Sequence, residues 1–188
     1  MRTVGWYRKS LPWNDSYNGK KLYIEFLGAC LQAECFVNGK SAGIHKGGYT
    51  AFRFDITSLM KPGENIIAVK VDNRHSEEIM PLGGDFSVLG GIYRNVSLIV
   101  VDPVHVDLMD NGSSGLYLTP VNVSESSADL EIKALIFNHS SESKTVIING
   151  KLRNPDSFES ITDVSKPTFD VTAMCPGGKV IKSLNELV

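Results

Sequence analysis

Only three of the 188 residues are cysteine (Cys30, Cys35 and Cys175), an odd number that cannot pair off into a disulfide framework. Cys30 and Cys35 lie five positions apart, so in one strand they would face opposite sides of a sheet, and none of the three belongs to a zinc-type pair. They read as small buried thiols. Four scattered histidines (His45, His75, His105 and His139) give no cluster for a metal. No apolar run approaches the roughly 20 residues that span a bilayer, so no membrane partner is expected. The opening MRTVGWYRKS lacks the apolar core of a signal peptide, and bacterial periplasm and cytoplasm both stay open. Nor is there a surplus of charge: a net charge of -2, with no basic stripe, offers nothing to neutralise phosphates and excludes a nucleic-acid partner. No window of a dozen residues repeats its apolar positions at the helical spacing.

What is present is alternation. Leu22, Ile24 and Phe26 share one face, with Tyr23 and Glu25 on the other. Phe52-Phe54-Ile56, Ile67-Val69-Val71, Val96-Leu98-Val100, Val104-Val106-Leu108 and Leu130-Ile132-Ala134-Ile136 repeat the pattern. Such runs put one face on a core and the other in water. Turn signals separate them: Asn38-Gly39, which suits a tight hairpin, then Lys61-Pro62-Gly63-Glu64-Asn65, then Asp110-Asn111-Gly112. Short strands between glycine-rich turns predict an all-β chain of antiparallel sandwiches. With 42% apolar residues the chain can bury a core, and its length suits two domains of about 100 residues. Pro103, which cannot donate to a sheet ladder, marks the boundary. Residues 1–102 are aromatic and glycine-rich, whereas 103–188 are rich in Ser, Asn and Thr and show too few strands to close a seven-stranded sandwich.

Four segments, read in order, resemble glycoside hydrolase family 2 of β-galactosidase type: Gly5-Trp6-Tyr7-Arg8-Lys9; Cys35-Phe36-Val37-Asn38-Gly39-Lys40; Gly47-Gly48-Tyr49-Thr50-Ala51-Phe52-Arg53-Phe54-Asp55-Ile56-Thr57; and the stretch from Gly83-Gly84-Asp85-Phe86 to Gly90-Gly91-Ile92-Tyr93-Arg94. Val69-Lys70-Val71-Asp72-Asn73 falls between the last two, where the family also has a strand. The resemblance is firm over about residues 4–101 and weaker through 104–150. It implies a jelly-roll sugar-binding-like domain followed by an incomplete immunoglobulin-like β-sandwich. It also implies a separate (β/α)8 barrel carrying both glutamates that cleave the glycosidic bond, two carboxyls roughly 5 Å apart when configuration is retained. Neither glutamate is placed here, and Asn185-Glu186 copies the family's acid/base pair only superficially. By the same resemblance the fragment is cut at both ends and inactive alone, and its parent acts on a β-galactoside or related carbohydrate. A homo-oligomer is in keeping with the family and with open strand edges.

The resemblance assigns substrate contact to Asp85, as the aspartate reaching from this domain into the barrel's sugar pocket. A carboxylate makes short, strong hydrogen bonds to hydroxyls, and in some members this one helps hold a monovalent cation. No cofactor is expected within the fragment itself. Arg74 and His75 lie upstream in the same loop and are its companion candidates, with a solvated loop as the alternative. Arg94 is expected to pair with an acid and support the loop that carries Asp85.

Two other classes compete. A stand-alone carbohydrate-binding module would stack sugar on an exposed aromatic. Trp6, in a strand-like opening, reads as core, whereas Trp13 and Tyr17, in or beside a loop rich in Pro, Asn and Asp, serve equally as core or as platform. A structural or adhesion protein of stacked sandwiches would need only the fold.

Overall fold

The computed structural model describes residues 2–80, 90–125, 129–146, 150–153, 160–164, 171–173 and 179–187, with side chains as far as Val146. The chain is all-β. Apart from two single-turn 3-10 helices, Asp15–Tyr17 and Thr57–Leu59, every regular element among the described residues is a strand. None of its helices is long and apolar enough to cross a membrane. Two compact units divide it: Met1–Asp102 with Leu108–Ser113, and Pro103–Asp107 with Ser114–Val188.

The first unit holds nine strands among its described residues: β1 (Val4–Pro12), β2 (Lys21–Phe26), β3 (Ala29–Cys30), β4 (Gln32–Val37), β5 (Lys40–Lys46), β6 (Phe52–Asp55), β7 (Glu64–Asp72), β8 (Gly91–Ile92) and β9 (Val96–Val101). One antiparallel sheet runs β1-β7-β4-β5 and a second runs β6-β2-β9, while β3 and β8 form a short pair. The alternation seen in sequence supplies the core. Leu22, Ile24 and Phe26 of β2 join Phe52 and Phe54 of β6, Ala33, Cys35 and Val37 of β4, and Ile67, Val69 and Val71 of β7 in one buried cluster. Each large side chain fully buried there stabilises the unit by roughly 1.5–3 kcal/mol. Phe26 stacks on Phe52 with ring centroids 4.9 Å apart. Tyr23, placed by alternation on the water-facing side, is also buried.

The hairpin at Asn38-Gly39 forms as expected, with φ of 52° and 82° at its two central residues. Asn38 also works beyond the turn: its side-chain amide donates to Leu59 O and Asn65 Oδ1, and its oxygen accepts from Ile66 N. Asn65 is wholly buried and satisfied by Lys61 and Gly63 backbone groups, which removes the cost of an unpaired buried amide.

Tryptophan placement overturns the reading of Trp6 as core and settles Trp13, which the sequence left open between core and platform. Trp6 is 63% exposed and lies 5.9 Å from Phe36, whereas Trp13 packs on the core and meets Tyr17 edge-on at 5.5 Å. The reason is register. Trp6 sits opposite Lys70 of β7, whose neighbours Val69 and Val71 are the buried ones, so Trp6 lies on the outer face.

The second unit contains eight strands among its described residues: β10 (Val104–Val106), β11 (Leu116–Val121), β12 (Asp129–Asn138), β13 (Lys144–Val146), β14 (Gly150–Arg153), β15 (Ser160–Val164), β16 (Val171–Ala173) and β17 (Lys179–Leu187). β10 and β11 pair with successive lengths of β12, and β17 pairs along Asp129–Phe137 of the same strand. β13 pairs with β16 and β14 with β15. The expected shortage of strands is therefore corrected. The strands that were missed span three to five residues, with sequences such as KTV, GKLR and SITDV, too short and polar to show a period of two. The segment Leu108–Ser113, assigned by sequence to the second domain, belongs to the first unit. Arg53 holds it there, donating to Leu108 O at 2.8 Å and Ser113 O at 2.7 Å.

Candidate functional site

Three motifs far apart in sequence meet at one end of the first unit. The turn after β5, the exit of β7 and the residues that follow β8 are joined there by hydrogen bonds. Tyr93 donates its hydroxyl to Gly48 O at 2.5 Å. Arg94 donates to Leu27 O at 3.2 Å and Tyr49 O at 3.1 Å, and its guanidinium lies 5.3 Å from the Tyr93 ring. Leu31 N donates to Asp72 O, and Gly47 N to Leu31 O. The Cys30–Leu31 peptide is cis. Beneath these contacts Cys30, Leu31 and Ile79 form a small buried cluster against which Tyr93 packs.

Glycine is required here for two separate reasons. Gly91 has a φ of 85°, and a Cβ on it would collide with the Tyr7 hydroxyl. Gly48 has ordinary angles but sits against Cys30, where a Cβ would come within 2.9 Å of the sulfur. Both are cases of close backbone approach rather than flexibility. Asn73 is buried at the same end and accepts a 2.6 Å hydrogen bond from Thr3 N.

Arg74 and His75 come together in a polar recess of about 450 Å³, shared with Gln32, Asp72, Ser76 and Ile79. Asp72 orients Arg74 through a two-pronged contact, with Arg74 Nε 3.0 Å and Nη2 2.6 Å from its carboxylate oxygens. The Arg74 hydrogen bond holds the Asp72 carboxyl below its usual range, and the same bond raises the already high pKa of Arg74. Lys46 pairs with Glu78 at 2.6 Å further along the loop and draws the pKa of Glu78 down. Asp72 was missed as a site residue because the alternation of β7 explains it as an outward polar position. The available signal was an acid at a strand end, two residues before an arginine.

Asp85 lies outside the described residues. Among the described residues, the polar contacts of Arg94 are the two carbonyls named above, where an acid was expected; carbonyl contacts still tie its strand to the Gly47-Gly48 turn. No three His, Cys, Asp or Glu side chains among the described residues gather to hold a metal. Burial raises the pKa of the Cys30 thiol and pushes that of Cys35 up to about 12.

His45 is not a surface residue. Its ring stacks on Phe52 with centroids 4.0 Å apart, and its Nε2 is buried without a hydrogen-bond partner. Burial lowers its pKa, offset in part by a backbone hydrogen bond at Gly47.

Comparison with known proteins agrees with this architecture. Residues 1–103 match the family described as "Glycosyl hydrolases family 2, sugar binding domain". A β-galactosidase of Thermoanaerobacter pseudethanolicus is 49% identical over 109 residues, 56% of this chain and 15% of that protein. A β-glucuronidase of Bacteroides fragilis is 39% identical over 142 residues, 75% of this chain and 20% of that one. Among solved structures, Bacteroides uniformis β-glucuronidase 2 superposes over 100% of this chain and 22% of its own, with a TM-score of 0.91 and 32% identity. The chain thus spans a fifth or less of the length of these curated relatives. By its family match, and by the order of its strands and glycine motifs, the chain belongs to glycosyl hydrolase family 2.

Proposed function

We propose that this chain is a non-catalytic region of a glycosidase, β-galactosidase-like, that supports and completes a sugar pocket whose two catalytic carboxyls lie on a separate barrel. The observation that carries the reading is the match of residues 1–103 to the family's sugar binding domain, within which Tyr93 and Arg94 bond to the carbonyls of Gly48 and Tyr49. In this reading Asp85 accepts hydrogen bonds from sugar hydroxyls. Arg74, aimed by Asp72, and His75 line a polar recess and offer donors to the same ligand. Arg94 and Tyr93 position the loop through backbone carbonyls. The substrate is a terminal β-galactoside, with β-glucuronides next in line because that activity names several of the relatives.

The test has two arms. The 188-residue chain, assayed at high concentration with chromogenic β-galactoside and β-glucuronide, gives no turnover. Turnover that follows the chain through purification overturns the non-catalytic role. In the full-length enzyme, Asp85→Ala raises KM at least tenfold, and an unchanged KM overturns the role of Asp85.

A further inference from the structure

The sheet β1-β7-β4-β5 turns one face away from the core, and that face holds aromatic rings in water. Val69 and Val71 of β7 and Cys35 and Val37 of β4 point into the core, so the residues between them lie on the outer face. Register sets these in rows. Trp6 stands opposite Lys70, and Lys70 opposite Glu34. In the next row Arg8 stands opposite Ala68, and Ala68 opposite Phe36. Ala68 is small, so Trp6 and Phe36 meet diagonally across β7, with ring centroids 5.9 Å apart and planes tilted by 30°. Trp6 is still 63% exposed.

The groups around the rings say what can cover them. Lys70 and Glu34 face each other at 3.9 Å and are partly exposed, and Arg8 lies beside them on the same face. A protein partner seated on Trp6 would bury these charges, whereas the centres of protein interfaces are depleted of Lys and Glu and stripping such groups of water is costly. Glu34 offsets Lys70, so the face lacks the run of cations with which proteins that stack bases also neutralise phosphates. A neutral polyhydroxylated ring meets both demands. Its C–H face covers the indole, and its hydroxyls replace water on Lys70, Glu34 and Arg8 through charge-assisted hydrogen bonds.

We propose that Trp6 and Phe36 form a stacking platform on the outer face of this sheet for a neutral oligosaccharide chain. One sugar lies on the indole and the next reaches Phe36, while the Lys70–Glu34 pair and Arg8 bind the hydroxyls at their edges. The proposal holds whether or not Asp85, Arg74 and His75 act as proposed above, because none of them belongs to the platform.

Calorimetric titration of the 188-residue chain with galactan-, xylan- and cellulose-derived oligosaccharides of increasing length tests this. At least one series binds, and its affinity rises from the single sugar to the disaccharide because two rings are then covered. Trp6→Ala, an exposed change that leaves the circular dichroism intact, weakens binding about tenfold, and Trp6→Tyr restores most of it. Arg74→Ala leaves this binding unchanged. In Trp13→Phe the sole remaining tryptophan is Trp6, and its fluorescence shifts on titration. Four results overturn the proposal: no series binds, Trp6→Ala binds as tightly as the parent chain, binding is lost in Arg74→Ala instead, or sedimentation shows a dimer of the chain that Trp6→Ala dissociates, which makes a second copy the occupant.

Discussion

The Tyr93 hydroxyl donates to the carbonyl of Gly48 across 45 positions of sequence. The bond joins the glycine pair Gly47-Gly48 to the strand that follows Gly90-Gly91. Neither motif closes the end of the sandwich alone. In the first, Gly48 lies so close to Cys30 that a Cβ would come within 2.9 Å of the sulfur, and in the second, Gly91 takes a φ of 85° against the Tyr7 hydroxyl.

Removing that hydroxyl tests the linkage. Tyr93→Phe is expected to cost about 1 kcal/mol, the usual net value of one hydrogen bond. Gly91→Ala should cost more, at least about 2 kcal/mol, because strained φ and a clash with Tyr7 act together. Urea denaturation of both variants measures this, and equal costs would refute the steric role of Gly91.

Arg53 and Glu25 face each other on β6 and β2, with Arg53 Nη2 2.7 Å from Glu25 Oε1 and both side chains largely buried. Arg53→Met leaves Glu25 as an uncompensated charge and releases Leu108 O and Ser113 O, so a loss of about 3–5 kcal/mol is expected. The double variant Arg53→Met with Glu25→Gln should recover part of it. A double-mutant cycle from chemical denaturation gives the coupling, and strict additivity would show that the pair does not interact.

Thiol reactivity follows from burial. Cys30 and Cys35 should resist iodoacetamide in the folded chain at pH 8, Cys35 most firmly because its pKa is pushed up to about 12. Both should react within minutes in denaturant. Peptide mass mapping reads each site, and rapid native labelling of Cys35 would contradict its place in the core.

Two groups set the pH response in different windows. The folded pKa of His45 is lowered from 6.5, so its contribution to stability is complete above that value and is lost as pH falls through it toward the folded value. For Asp55, burial pushes upward but the bonds from Lys21 and Thr57 outweigh it, leaving the carboxyl below 3.8. Its contribution is present above that value and disappears as pH falls through the folded one. Thermal melts should therefore show a first loss of stability just below pH 6.5 and a second below pH 4. His45→Gln should flatten only the first step and Asp55→Asn only the second. A first step unchanged in His45→Gln would remove His45 from the account.

Much of the first unit could be read in its letters. β2, β6 and β7 carry apolar residues at every second position because each has one face on a core, and Asn38-Gly39 forms its hairpin because those residues tolerate positive φ. Trp6 could not be read, since an aromatic in a strand fits a core or an outer face equally and only the pairing with β7 decides. His45 was equally opaque: a lone histidine carries no periodic signal, and its burial comes from Phe52 on the other sheet. The short strands β13, β14 and β15 fell below the length at which alternation can be recognised.

Local structure, then, was settled by the chain itself: which residues alternate and which turn. Tertiary structure alone decided the joining of distant motifs, such as Gly48 with Tyr93 and Arg53 with the carbonyls of Leu108 and Ser113. The physical reason is range. Propensity and periodicity act over a few residues, whereas a recess, a clasp or an open edge exists only once strands far apart in sequence have chosen their neighbours.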